Sequence, residues 1–117
     1  ILKMKHLESA LQQSCITWFR YQYPNHTIYS NPNGGTRNIR EAVRLKAEGT
    51  LAGVADLFLM AANKNYNGLF IEMKIGKGKQ SDAQNEFELK AKHQNYQYIV
   101  CRTFDQFKTE IENYLNN

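Results

Sequence analysis

Two acidic residues and a lysine occupy fixed positions in two apolar segments of the chain. Asp56 lies within residues 53–59, Glu72 lies within residues 69–74, and Lys74 follows Glu72 by two positions. Side chains two residues apart on a β-strand share a face, so Glu72 and Lys74 are predicted to point into one pocket. If the two segments pair as a hairpin, Asp56 approaches the same place. Two carboxylates holding a divalent cation, with an ammonium group beside them, suit phosphodiester hydrolysis.

The alternative for these three residues is a surface hairpin with an ordinary cross-strand ion pair. The flanking runs Leu57–Met60 and Leu69–Ile71 are strongly apolar, which is typical of strands covered on both faces. An acid and a lysine in covered strands are costly unless they are paired or coordinate an ion. The pattern therefore favours a functional site.

Apolar spacing and capping residues indicate the elements that must position this site. The predicted elements are a helix from about Met4 to Tyr23, a strand at 27–30, a helix capped by Thr36 or Asn38 and reaching Ala47, the two motif strands, a helix capped by Ser81 and running to about Gln94, a strand at 97–102 and a last helix capped by Thr103. This α-β-α-β-β-α-β-α order predicts a single α/β domain, residues 1–117, with a mixed central sheet.

Two further polar residues are candidates for the site. At about 100° per residue, Glu8 falls at the margin of the buried stripe of the first helix, where a carboxylate needs a partner. The alternative is an exposed Glu8 that pairs with Lys5 or Gln12. Gln84 completes an S-x-x-Q capping box with Ser81, which gives it a structural role whether or not it has a catalytic one.

Basic residues cluster in two places that suit contact with a DNA backbone. Lys77 and Lys79 lie in a Gly/Lys loop, predicted to be flexible, that lacks the Walker A spacing, so nucleotide binding is rejected. Arg37, Arg40 and Arg44 follow helical spacing and form a basic ridge. The alternative for both clusters is a solvated surface.

Composition bounds the class of protein. The 117 residues suffice for one core, and a formal net charge of +4 permits a polyanionic partner without requiring one. No run is long enough for a membrane span and no signal peptide opens the sequence, so a soluble, cytoplasmic protein with no membrane partner is expected. Cys15 and Cys101 are predicted to be reduced, buried thiols. The scattered histidines indicate neither a hydrolase triad nor a zinc site.

The ordered motifs resemble those of the VRR-NUC (virus-type replication-repair nuclease) family of the PD-(D/E)XK nucleases. The likeness is carried by Gly53–Leu57, Ile71–Lys74, the Gly/Lys loop and Ser81–Gln84, and it runs from about Glu8 to Arg102. The family usually has proline before the motif aspartate, whereas this chain has Ala55. Proline would stiffen that turn, so the change is expected to soften the geometry and leave the metal site in place.

The resemblance implies a restriction-endonuclease-like fold, a mixed β-sheet flanked by α-helices, and metal-dependent endonucleolytic cleavage of DNA. It implies Mg²⁺ or Mn²⁺ held by Asp56, Glu72 and the backbone carbonyl of Met73, with Glu8 as a supporting ligand. Lys74 would orient the attacking water or stabilise the charge that develops on the phosphate.

The resemblance also places Gln84 near the catalytic lysine or the scissile phosphate. Small stand-alone members are implied to act as homodimers on branched DNA such as a four-way junction. That substrate would suit a phage-encoded enzyme in the host cytoplasm.

Three alternatives stay open at this point. One is a restriction-type endonuclease that cuts linear duplex DNA. Another is a non-catalytic DNA-binding module, which would show no dependence on metal. The third is an inhibitor or interaction subunit that uses the tyrosines and the last helix.

Overall fold

A computed structural model describes residues 2–32 and 38–117 of the chain. In chain order the elements are α1 (Leu2–Gln22), β1 (Ile28–Ser30), α2 (Ile39–Ala47), β2 (Leu57–Leu59), β3 (Leu69–Met73), α3 (Asp82–His93), β4 (Gln97–Cys101) and α4 (Phe104–Leu115). The predicted order of elements and the α/β class are confirmed.

The four strands form one mixed sheet in the order β1-β2-β3-β4. β1 pairs antiparallel with β2, and β2 pairs antiparallel with β3, where Leu57 faces Ile71. β3 and β4 are parallel, with Ile71 facing Ile99. Parallel neighbours need a long crossover connection, and α3 supplies it.

The core lies on the sheet face that carries the odd-numbered residues of β2 and β3. These side chains pack with Cys15 and Phe19 of α1 and with Phe107 and Ile111 of α4, all of them fully buried. The other face carries Phe70, whose ring meets Phe87 of α3 edge-on at 5.0 Å between centroids. Both faces of β3 are therefore covered, as its apolar sequence predicts.

Polar side chains begin three of the helices. The Asn38 side chain accepts a hydrogen bond from the backbone N–H of Glu41 at 2.8 Å, so Asn38 is the cap of α2. Ser81 and Thr103 cap α3 and α4 as predicted. Thr36, the other candidate cap, lies outside the described residues.

The buried stripe of α1 begins later than the helix itself. Leu11 and Ile16 are half-buried against the core, whereas Met4 and Leu7 are 48% and 49% exposed. The first turns of α1 extend past the packed layers, so their apolar residues contribute less to the core than their spacing suggests.

Burial determines the chemistry of the two cysteines. Cys15 and Cys101 are buried and unlinked, and burial raises the pKa of their thiols to about 11 and about 12. Thiols with such pKa values are poor nucleophiles near neutral pH.

Among the described residues, no helix has both the length and the apolar character needed to cross a bilayer.

Candidate active site

The pairing of β2 with β3 brings the two motif carboxylates together. Leu57 faces Ile71, so carrying the register one residue further places Asp56 opposite Glu72, on the same side of the sheet. Asp56 Oδ2 accepts a hydrogen bond of 2.7 Å from the Met73 backbone N–H. The predicted convergence of the hairpin on one point is therefore observed.

Glu72 is a buried carboxylate with one satisfied oxygen and one unsatisfied oxygen. Its residue is 1% exposed, which excludes the surface-hairpin alternative. Oε2 accepts from the Gln84 amide nitrogen at 3.0 Å and lies 3.7 Å from the Lys74 ammonium nitrogen. Oε1 is buried and has no hydrogen-bond partner among the described residues. A buried, unpartnered carboxylate oxygen is costly, so it calls for a function.

Gln84 combines the two roles that its sequence position suggested. Its Oε1 accepts from the Ser81 backbone N–H at 2.8 Å, while its own backbone N–H donates to Ser81 Oγ at 3.2 Å. The same Oε1 accepts from Lys74 Nζ at 3.0 Å, and Nε2 donates to Glu72. The capping box therefore fixes the side chain that joins Lys74 to Glu72.

Glu8 of α1 faces the same site from the other side. It lines a cavity of about 660 Å³ together with Asp56, Glu72 and Gln84. Glu8 is half-buried, and no ion pair with Lys5 and no hydrogen bond with Gln12 forms between the described residues. Lys74 is not among the residues that line the cavity; its ammonium group reaches the site beside Gln84 and Glu72.

Burial and neighbouring carboxylates raise the pKa of Glu72 and of Glu8. Burial is the main cause that raises the pKa of Glu72 to about 8, followed by repulsion from Asp56. Lys74 acts in the opposite direction and Glu8 adds a small increase. Burial and Asp56 likewise raise the pKa of Glu8, against Lys74. Such mutual repulsion is relieved when a cation binds between the acids.

The donor set suits a hard divalent cation. The unpartnered Glu72 Oε1 and the Asp56 carboxylate, which lines the same cavity, offer oxygen ligands. Across residues 2–32 and 38–117, no three His, Cys, Asp or Glu side chains come together as a group that could hold a metal ion. Mg²⁺ commonly takes only one or two protein carboxylates and completes its shell with water and substrate phosphates, so the pair fits it.

A close approach of the backbone holds this edge of the site in place. Gly53 has φ +86°, and a Cβ atom there would overlap the carbonyl group of Ala83 in the first turn of α3. Only glycine combines this conformation with this proximity. The segment that carries Asp56 therefore rests directly on the helix that carries Gln84.

Comparison with known proteins identifies the family. The model of the VRR-NUC domain matches residues 2–105. The chain belongs to the VRR-NUC family. A solved structure described as a VRR_NUC domain protein is 25% identical, superposes with a TM-score of 0.77, and matches 93% of this chain and 88% of its own. A search of curated proteins found no match.

The VRR-NUC family is a family of nucleases. The mixed α/β sheet of this chain agrees with that membership. The motif residues Asp56, Glu72, Lys74 and Gln84 fall within the matched range and meet at one point. Ala55, where the family usually has proline, is fully buried. The following Asp56 still reaches Met73, so this VRR-NUC domain keeps the turn without proline.

The Gly/Lys loop of this VRR-NUC domain, residues 75–80, is held by side-chain hydrogen bonds at Gly76, Gly78 and Gln80. The Arg102 guanidinium donates to the carbonyl oxygens of Gly76 and Gly78, each at 2.8 Å. At the end of the loop, Gln80 Nε2 donates to Glu88 and to the Tyr98 hydroxyl, both at 3.1 Å. The loop was expected to be flexible, but these bonds fix its path and leave Lys77 and Lys79 exposed.

Two members of the basic ridge, Arg40 and Arg44, do not line the cavity. Arg40 and Arg44 are exposed, and Arg44 forms an ion pair of 3.0 Å with Glu48. No described residue of α2 lines the cavity. Arg37 lies outside the described residues.

Sequence reasoning missed part of the cavity wall and the clamp on the loop. Lys5, Ser9 and Gln12 line the cavity beside Glu8. Lys5 and Gln12 lie three and four positions from Glu8, and Ser9 lies four positions from Lys5, so helical spacing is a signal that could have found them. Arg102 carries no such signal, because its contacts with the loop depend on the β3–β4 pairing.

Proposed function

We propose that this domain is a metal-dependent DNA endonuclease that hydrolyses phosphodiester bonds with Mg²⁺ or Mn²⁺. The observation that carries the proposal is the buried, unpartnered Oε1 of Glu72, a carboxylate that contacts Lys74 and Gln84 through its other oxygen. A non-catalytic DNA-binding module would gain nothing from an oxygen in that position. Family membership supports the nuclease class.

Asp56 and Glu72 would hold the cation. Asp56 accepts from the Met73 N–H, so the Met73 backbone lies against the same carboxylate, and its carbonyl is the third candidate ligand. Glu8 faces the cavity from α1 and would support this metal or a second one. When bound, the cation supplies polarisation of the phosphate and activation of the attacking water.

Lys74 would stabilise negative charge at the scissile phosphate, and Gln84 would hold Lys74 in position. An ammonium group has three donors, and one of them is used by Gln84 Oε1. The remaining donors are free to orient water or to stabilise the negative charge that grows on the phosphate oxygens. Gln84 keeps the ammonium group beside Glu72 instead of letting the long side chain extend into solvent.

Branched DNA is the proposed substrate, and a homodimer is the proposed assembly. Both come from the resemblance to small stand-alone members of the family, in which two active sites face one junction. A phage-encoded enzyme in the host cytoplasm suits that substrate. Exposed Lys77 and Lys79 would contact backbone phosphates next to the site, and Arg37, Arg40 and Arg44 would offer a second basic surface.

The deciding experiment compares wild type with Asp56→Asn and Lys74→Ala on a labelled four-way junction and a matched linear duplex, with and without Mn²⁺. Wild type should cut only with metal, and each variant should lose about 10²–10³-fold in rate. Lys64→Ala is the matched control, because Lys64 follows the opposite end of β2 from Asp56. Metal-independent cutting, or full activity in Asp56→Asn, would refute the mechanism.

The same assay separates the substrate classes. Preference for the junction supports the branched-DNA proposal, whereas equal cutting of both substrates supports a restriction-type enzyme. Sedimentation of the active protein with and without the junction tests the homodimer. Calorimetry with Mn²⁺ tests the metal site directly, because a binding-only module would release no heat.

A further inference from the structure

A second cavity continues the candidate active site along α1. It has a volume of about 340 Å³ and shares Ser9, Gln12 and Ser30 with the 660 Å³ cavity that contains the acids. The two cavities thus form one continuous depression, which we call the α1 groove. Besides its acids and Gln84, its polar lining residues are Lys5, Ser9, Gln12, Gln13, Thr17, Arg20, Ser30 and Asn31.

The charges of the α1 groove change along its length. Its acids, Glu8, Asp56 and Glu72, all lie at the active-site end. The cavity beyond them has no acidic lining residue and includes Arg20. Neither Lys5 nor Arg20 forms an ion pair with any described residue, so both cations are available to a ligand.

The polar groups between the cations are also available. Gln12, Thr17 and Ser30 make no side-chain hydrogen bond within the described part of the chain. Ser9 Oγ accepts from Gln13 at 3.1 Å and can still donate its own proton. Amide and hydroxyl side chains together with lysine and arginine are the usual partners of DNA phosphate oxygens.

The dimensions of the groove suit an extended strand. From Glu8 to Arg20 the helix rises by about 18 Å at about 1.5 Å per residue. Nucleotides of one strand of B-DNA are spaced by about 3.4 Å along the axis, so this length corresponds to roughly five steps. A small metabolite would not need a groove of this length with cations near both ends.

We propose that the α1 groove binds the sugar–phosphate backbone of the DNA strand that leads into the active site. This inference rests on the proposed nuclease function. It adds a path for the substrate that is separate from the Gly/Lys loop and from the basic ridge. Arg20 contacts a phosphate at the end remote from the acids. Lys5 offsets the repulsion between the acids and the phosphates next to the cut.

The test measures binding to fluorescein-labelled DNA by anisotropy in EDTA over a series of salt concentrations. Lys5→Gln and Arg20→Gln should each weaken binding about three- to tenfold and lower the slope of log K against log[salt] by about 0.7–0.9. Lys64→Gln, which removes the same charge near the opposite end of β2, should match wild type. Equal circular dichroism spectra and urea midpoints would confirm that the variants fold.

Arg20→Gln decides the outcome, because Arg20 is the groove cation farthest from the acids. If its affinity and salt slope equal those of Lys64→Gln, the groove does not bind DNA and the proposal is overturned. The proposed nuclease function would still be supported in that case if wild type cleaves DNA. If Arg20→Gln weakens binding but wild type never cuts DNA, the groove remains a DNA site and the nuclease mechanism fails instead.

Discussion

Replacing Glu72 with glutamine should stabilise the metal-free protein at alkaline pH and abolish its stabilisation by metal. Glu72 is 1% exposed and its Oε1 has no partner among the described residues. Burial, followed by repulsion from Asp56, raises its pKa from 4.5 to about 8. Between these two values the folded protein holds a proton that the unfolded chain has released. Stability should therefore fall as pH rises from about 4.5 to about 8.

The magnitude follows from the difference between the two pKa values. At about 1.4 kcal/mol for each unit by which they differ, the ionised Glu72 costs at most about 5 kcal/mol above pH 8. A glutamine carries no charge at any pH and keeps an oxygen that can accept from Gln84. We therefore expect Glu72→Gln to raise the free energy of unfolding by about 2–4 kcal/mol at about pH 9 and by little at about pH 5.

Urea unfolding in EDTA at the two pH values measures this difference. Glu86→Gln is the control, because it removes a largely exposed carboxylate that pairs with Lys90 at 3.3 Å and should change stability by less than about 1 kcal/mol at either pH. Adding Mn²⁺ should stabilise wild type and leave Glu72→Gln nearly unchanged. If both proteins show the same pH dependence, Glu72 is not held as a strained buried acid. If Mn²⁺ stabilises both equally, the metal binds elsewhere.

Three further substitutions test how the site is positioned. Gly53→Ala should lower the free energy of unfolding by about 1–3 kcal/mol more than Gly49→Ala in urea titrations, because both glycines have positive φ but only Gly53 abuts α3. Gln84→Ala and Ser81→Ala should each cost about 1 kcal/mol through the lost cap, yet in cleavage assays only Gln84→Ala should slow the reaction more than tenfold. Arg102→Ala should speed hydrogen exchange of the Gly/Lys loop and raise KM for DNA more than it lowers kcat, and Arg102→Lys should partly restore both. Unchanged hydrogen exchange would show that Arg102 does not hold the loop.

The sequence could predict the elements and the meeting of the motif residues, since both follow from local rules. Alternation within β3 puts Glu72 and Lys74 on one face, and the apolar flanks require covered strands. Ser81 and Gln84 satisfy a capping box whatever the rest of the fold does. The position of Asp56 followed from the hairpin alone, because β2 and β3 are consecutive and antiparallel.

Features that depend on contacts between distant elements could not be predicted in this way. The predicted basic ridge has the right spacing, but nothing in the sequence of α2 reveals that Arg40 and Arg44 do not line the cavity. The order in the Gly/Lys loop depends on Arg102, which becomes its neighbour only when β4 pairs with β3. Apolar spacing along α1 likewise cannot show where the packed layers end, so Leu7 is more exposed than its pattern suggests.

The topology explains why a glutamine can serve both the fold and the site. A helix that crosses between two parallel strands must begin near the carboxyl end of the first strand, and that end of β3 carries Glu72 and Lys74. The first turn of α3, with its cap, therefore falls beside the acids without any extra segment to bring it there. Ligands of parallel sheets gather at this edge for the same reason. Because the cap bonds to Ser81 and the side-chain bonds to Lys74 and Glu72 converge on Gln84, fraying of the first turn of α3 would release the ammonium group and Oε2 of the buried carboxylate together.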